Sequence, residues 1–266
     1  MSTTQLSPPP SGVTTRPPRG HADYGIDAPG VVRLFLVLGV VGLAALVTRL
    51  AGIWSERTWL GAIGWPVMCS GLSMGMTGAV MWWDSRFGKV RRRDRVLAGL
   101  PWRGDETVLD VGCGRGLYLI GAARHVPRGR AVGIDVWNAS DLSGNAMDAT
   151  RRNAEIEGVA DRVELKTADA REMPFADGTF DCVFSCMALH NIYDAPGREK
   201  AIREIARVLR PGGRAVILDM RHTGQYAEVF RAAGCAQVEH RRPPTLPLVA
   251  ALTWGSVRPG TVVARK

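Results

Sequence analysis

The stretch that decides the fold is VLDVGCGRG, Val108–Gly116, inside ETVLDVGCGRGLYLIGAARH. Val108–Val111 is a short apolar, β-branched run of the kind that makes a buried strand. Gly112, Gly114 and Gly116 then interrupt it, and Leu117 onward has the apolar spacing of a helix. Strand, glycine turn and helix in that order make a ligand-binding corner. Glycine reaches backbone conformations closed to other residues, and a helix start presents N–H groups without partners. The backbone of Gly112, Cys113, Gly114 and Gly116 is therefore expected to approach the ligand. The spacing also discriminates between ligands. A dinucleotide site would read GxGxxG, whereas this one reads GxGxG, with Leu117 where the last glycine would stand. Asp110, just ahead of the turn, suits a cationic amino group and would repel a pyrophosphate.

Further elements lie downstream. Asp135 ends AVGIDV at about the distance, some twenty residues on, where this architecture sets an acid against ribose hydroxyls. Val136 and Trp137 follow it and would flank an adenine. TADARE places Asp169 and Ala170 after the next strand, where a carboxylate can accept from the adenine amino group. FDCVFSCMALHNI, Phe180–Ile192, carries Ser185 toward the reacting centre, and LRPGGRAVILDM, Leu209–Met220, closes that half of the sheet.

ETVLDV, VGIDV, RVELKTAD, FDCVFSC, RAVILDM and TVVAR read as strands. Helical stretches separate them at Gly116–His125, about 141–157, Arg198–Leu209 and Gln225–Ala233. Such alternation predicts an α/β domain with a mostly parallel sheet covered on both faces. Gly212-Gly213 is expected to close one helix and begin the next strand. The last strand, after Pro259-Gly260, is expected to be antiparallel and near the sheet edge.

From Val96 to the C-terminus these segments, in this order, resemble the class I S-adenosylmethionine-dependent methyltransferase family. The resemblance implies a Rossmann-like, seven-stranded, mostly parallel sheet with S-adenosyl-L-methionine along the C-terminal strand ends. It implies cofactor contacts from Asp110, Gly112, Cys113, Gly114, Gly116, Asp135, Val136, Asp169, Ala170 and Ser185. The LRPGGR segment looks most like the small-molecule branch that includes quinone-biosynthesis methyltransferases. The chain departs from that branch in its apolar N-terminal stretches and in WNASDLSGNAMDATRRN after Asp135.

Methyl transfer to a good nucleophile needs alignment above all, while a hydroxyl or acidic carbon acceptor needs a base. His190 is the candidate base, with Tyr193, Asp194, Asp219, Arg221 and His222 nearby in sequence; a packing or capping role is the plainer alternative. Trp137 and Asn145 would line the acceptor site, or belong to a solvated loop. The five cysteines show no CxxC pair, so neither a disulfide framework nor a metal site is expected. Cys182 and Cys186 read as core residues.

The net charge is +9, but the excess gathers before Val96, much of it in KVRRRDR, Lys89–Arg95. A basic run after an apolar segment fits a membrane face better than a nucleic-acid groove, and no nucleic-acid partner is expected. Residues 1–30, rich in proline, read as a disordered tail. Residues 31–83 hold two uncharged apolar stretches, which predict a two-helix transmembrane hairpin; 84–95 is its basic linker and 96–266 the enzyme domain. Trp54, Trp59, Trp82 and Trp83 would form an interfacial belt, and Gly71 and Gly75 stand at GxxxG spacing. A cleaved signal peptide, two buried core helices, or one span with an interfacial helix are alternatives. The positive-inside bias puts the catalytic domain in the cytoplasm, at the cell inner membrane. The expected function is a membrane-anchored methyltransferase for a small or lipid-soluble acceptor. A catalytically silent cofactor-binding membrane module and a nicotinamide-dependent oxidoreductase are the rival readings.

Overall fold

The computed structural model describes residues 20–53, 59–242 and 258–266, the first residues of the second helix, 59–62, by backbone alone. Most of the proline-rich tail, Trp54, the Trp59 side chain and most of the link between the apolar stretches lie outside the described residues. The chain divides into two compact units. One comprises Tyr24–Arg92 with Asn138–Asn145; the other comprises Arg93–Trp137 and Ala146–Lys266, joined by the segment up to Asp23.

The first unit is built on α1 (Pro29–Leu50) and α2 (Trp59–Trp83), which pack along glycines. A Cβ on Gly39 would lie 2.5 Å from Gly75 Cα, and one on Gly71 would lie 2.7 Å from Gly42 Cα. Only residues without a side chain allow two helix backbones so near each other. The outward side remains apolar: Val37, Val40 and Leu50 are 60%, 68% and 79% exposed. Among the described residues, α1 is the helix long and apolar enough to cross a membrane. α2 carries no charge, but its glycines, serines, tryptophans and Pro66 dilute its apolar character. The expected two spans thus reduce to one helix that qualifies by length and composition.

A π-helical turn, Asp84–Gly88, leads into α3 (Lys89–Ala98). Lys89 is buried, and its Nζ donates to the carbonyls of Tyr24 and Gly25 at 2.8 Å each. Residues 138–145, expected in part as helix, instead form turns pinned to the chain ahead of α1. Asp27 bridges Leu142, and the Ile26 N–H donates to Ser143 Oγ at 2.7 Å.

The second unit is a seven-stranded sheet. Its strands are β1 (Thr107–Val111), β2 (Arg130–Asp135), β3 (Val163–Thr167), β4 (Phe180–Cys186), β5 (Leu209–Asp219), β6 (Gln237–Arg241) and β7 (Gly260–Arg265). Their spatial order is β3-β2-β1-β4-β5-β7-β6. All neighbours are parallel except those of β7, which runs antiparallel to both β5 and β6. The order reverses between β1 and β4. A crevice therefore opens above their carboxyl ends, where open α/β sheets bind ligands. Four helices follow in chain order: α4 (Leu117–His125), α5 (Met147–Ile156), α6 (Ala195–Val208) and α7 (Thr223–Ala232). Leu109, Ile134, Phe180, Val183, Ile202, Ile205, Ile217 and Phe230 join sheet and helices in one core.

The last strand, β7, is antiparallel and near the edge as expected, with β6, a polar strand (QVEHR) with little apolar signal, pairing outside it. Two details differ from expectation. α6 ends at Val208, and β5 begins at Leu209, before the glycines. Its register with β4 shifts between Phe180 and Cys182, so the irregular Arg210–Gly213 segment lies within the strand. α5 begins at Met147, after the polar loop.

Candidate active site

The carboxyl end of β1 sets the centre of the site. Asp110 is 2% exposed, and its Oδ2 accepts the N–H of Leu119 in the first turn of α4 at 2.8 Å. No cation is paired with it among the described residues. Burial raises its pKa to about 7; the Leu119 bond opposes this and the nearby negative charge of Asp135 adds to it.

The turn that follows is tied on every side. The N–H groups of Gly112 and Cys113 both donate to the Ile134 carbonyl, at 2.8 and 3.0 Å. Gly116 has φ +85° and caps α4. A Cβ there would meet Ile120 Cδ1 at 2.8 Å and Thr150 Cγ2 at 2.9 Å, and one on Gly112 (φ +71°) would meet Ala188 Cβ at 2.3 Å. Protein neighbours therefore already require glycine at these two positions. Cys113 is buried between the two acids, and burial pushes its thiol well above the usual range, so it is no nucleophile at neutral pH.

Asp135 ends β2 at the same level as the turn. Its Oδ2 accepts the Gly114 N–H at 2.8 Å and its Oδ1 the Trp137 N–H at 2.6 Å. Each carboxylate oxygen has a second lone pair, so these bonds orient the acid without exhausting it. Val136 is 62% exposed, and Trp137, at φ +60°, donates from Nε1 to Thr167 Oγ1 at 2.9 Å.

The structure brings Asp110, Gly112, Cys113, Gly114, Gly116 and Asp135 together, and it gives Asp169, Ala170 and Ser185 other partners. Asp169 is ion-paired with Arg171 (Oδ2–Nη2 2.6 Å), and this guanidinium holds its carboxyl below the usual range. Ala170 packs against the core. Ser185 is 1% exposed and donates to the Val111 carbonyl at 2.9 Å, so its hydroxyl fastens β4 to β1. Cys182 is buried in the sheet, where burial pushes its thiol up to about 12, as a core cysteine would be. Asn145 lies in the other unit and donates to the Asn138 carbonyl.

His190 stands in a short 3-10 turn after β4, beyond Leu189. Its Nδ1 lies 2.6 Å from Asp219 Oδ1 at the carboxyl end of β5, close but short of linear hydrogen-bond geometry. Asp219, 2% exposed, also accepts the N–H of His190 (3.0 Å), the N–H of Met220 (2.7 Å) and the hydroxyl of Tyr226 (3.3 Å). Burial first, then the Asp219 charge, raises the Tyr226 pKa, so this phenol keeps its proton. Tyr193 is 96% exposed, and Asp194 caps α6 by accepting the Gly197 N–H. His222 is the αL residue ahead of α7.

Sequence reasoning missed the hold on the glycine turn. On α5, Thr150 Oγ1 donates to the Gly114 carbonyl at 2.6 Å, and Asn153 Nδ2 donates to the Arg115 carbonyl at 2.9 Å. Their spacing in TRRN, three apart on one helix face, was the available signal.

Residues 108–213 match a family model described as a methyltransferase domain. Methyltransferase GfsG of Streptomyces halstedii is 38% identical over 142 residues, 53% of this chain and 48% of that protein. Demethylmenaquinone methyltransferase of Symbiobacterium thermophilum is 34% identical over 124 residues, 46% of each. The chain thus spans about half the length of the curated relatives it matches. Among solved structures, the [4+2]-cyclase SpnF superposes with a TM-score of 0.51 at 24% identity, over 66% of this chain and 80% of that one. This likeness shows a shared Rossmann-like α/β fold for the sheet and its helices.

Proposed function

We propose that this chain is an S-adenosylmethionine-dependent methyltransferase that acts on a small or lipid-soluble acceptor and is held at a membrane by its N-terminal helices. The carrying observation is the pair of acids, Asp110 and Asp135, on either side of the glycine turn. A cation-free buried carboxyl with a pKa near 7 fits the ammonium group of a methionyl tail, which draws it into its charged form. A pyrophosphate there would face two negative groups. Asp135, oriented by two backbone N–H groups, fits ribose hydroxyls, and exposed Val136 offers an apolar face to a base.

S-adenosylmethionine supplies an electrophilic methyl group on a sulfonium centre. The chain's own part is to align the acceptor and remove its proton. His190, beside the Asp219 carboxylate, is the group placed to take a proton from a hydroxyl or acidic carbon. Tyr226 and Met220 hold Asp219 in place.

The membrane reading rests on the apolar outward faces of α1 and α2 and on the arginines that follow them. Both helices crossing, with the domain on the cytoplasmic side of the inner membrane, satisfies the positive-inside bias. An active site at that address has ready access to an acceptor that partitions into the bilayer. The demethylmenaquinone relative, named for such a substrate, supports the same class.

Calorimetric titration with S-adenosylmethionine and with NAD, for the wild type, Asp110→Ala and Asp135→Ala, tests the cofactor. Saturable binding of the first ligand alone, weakened by both substitutions, is expected; no binding to the wild type would overturn the reading. Transfer of label from the cofactor to a membrane lipid extract distinguishes an enzyme from a silent binding module.

A further inference from the structure

We propose that Asn153 and residue 23 form a latch that positions the glycine turn for its cofactor, so that closure of the strap at residues 20–24 and cofactor binding stabilise each other. This rests on the reading of that turn as an S-adenosylmethionine site. Asn153 is 3% exposed, and its carboxamide is fully engaged. Nδ2 donates to the carbonyls of Arg115 and Asp23, both at 2.9 Å, and Oδ1 accepts the Asp23 N–H at 3.0 Å. One side chain thus satisfies both backbone groups of Asp23, as a neighbouring strand would, and reaches the middle of the turn with the same NH2 group. An ion pair, Arg115 Nη2 to Asp23 Oδ2 at 3.1 Å, adds a second tie. Its carboxylate is half exposed, and such surface pairs contribute little, so the buried carboxamide carries the latch.

The reason this matters for a ligand is peptide planarity. In a trans peptide the carbonyl and the following N–H point in opposite directions, so fixing one fixes the other. Thr150 holds the Gly114 carbonyl and thereby sets the Arg115 N–H; Asn153 holds the Arg115 carbonyl and sets the Gly116 N–H, which donates to the Cys113 carbonyl at 2.8 Å. Residue 23 is what completes the Asn153 carboxamide. Without it, one donor and one acceptor of a buried amide lose their partners, and the amide is no longer held in one orientation. The strap is also the chain that enters α1, with Tyr24–Ala28 between Asp23 and Pro29. Thr150 and Asn153 are positioning residues, since they act on the cofactor through the turn.

The test uses full-length protein in detergent. With Asp23→Ala as the control for loss of the carboxylate paired with Arg115, Asn153→Ala removes the carboxamide and Asp23→Pro removes both that carboxylate and the N–H donated to Asn153. Asn153→Ala and Asp23→Pro are expected to weaken S-adenosylmethionine binding about tenfold, as the loss of one or two buried hydrogen bonds implies. The KM for cofactor should rise more than kcat falls. Hydrogen exchange over residues 20–24 should slow on adding cofactor to the wild type, as reciprocal coupling requires. Wild-type affinity in Asp23→Pro, or exchange over 20–24 that ignores the cofactor, would overturn the latch. A wild type that fails to bind at all would instead overturn the reading of the site.

Discussion

Asp219 Oδ1 lies 2.6 Å from Nδ1 of His190, while its Oδ2 accepts the N–H of that same histidine at 3.0 Å. One buried carboxylate therefore holds the backbone of His190 and lies beside its ring. The two groups come from the ends of adjacent parallel strands, β4 and β5. If they act as a unit, removing either disables the same step. His190→Ala and Asp219→Ala should each lower the rate of methyl transfer from labelled cofactor by about 10²–10⁴. The double variant should be little worse than the singles. Cofactor affinity of His190→Ala should match the wild type, and an undiminished rate would remove His190 from the mechanism.

Asp110 links pH to both binding and stability. Below about pH 7 the empty site holds it protonated, so affinity for S-adenosylmethionine should fall as pH drops from 8 to 6. The stability effect has the opposite sign. Between the ordinary carboxylate range and about 7, rising pH ionises Asp110 in the unfolded chain but not in the folded one, so its contribution to stability is progressively lost. A displacement of that size sets an upper bound of about 4 kcal/mol above pH 7. Asp110→Asn should therefore raise Tm of the ligand-free protein at pH 8 while weakening cofactor binding more than tenfold. A lower Tm, or a flat affinity profile, would contradict this account.

The glycine requirement at 112 is steric as well as conformational. Gly112→Ala should destabilise by about 2–4 kcal/mol, because a Cβ would collide with Ala188 at a positive φ. Adding Ala188→Gly should recover part of the loss in chemical denaturation, leaving the cost of φ. No recovery would mean that the Ala188 contact is not what selects glycine.

Membrane anchoring has its own readout. The full chain should sediment with membranes, resist an alkaline carbonate wash and dissolve in detergent. Gly39→Leu or Gly75→Leu should expose the helix pair to proteolysis, since both glycines let the backbones meet. Release of the wild type by carbonate would remove the spanning role.

Most of the enzyme fold was legible because it is written locally. Val108–Gly116 specifies strand, turn and helix through β-branching, glycine and apolar spacing, and Asp135 follows at the distance one β-α-β unit requires. β6 was not legible, because QVEHR alternates without an apolar majority and takes its place by pairing with β7. Residues 138–145 read partly as helix, yet their partners, the backbone around Ile26 and Asp27, lie more than a hundred residues away in sequence.

Neighbouring residues alone specify most strands of the sheet, the position of the glycine turn and the two acids beside it, since each of these depends on residues close in the chain. What those groups touch is set by packing between segments distant in the chain. Asp169 turns to Arg171, Ser185 to the Val111 carbonyl, and Asn153 brings Asp23 to Arg115. A carboxylate, hydroxyl or amide can satisfy its hydrogen bonds with any donor or acceptor that folding delivers. Backbone propensity is a property of the residue, but partnership is a property of the packed chain.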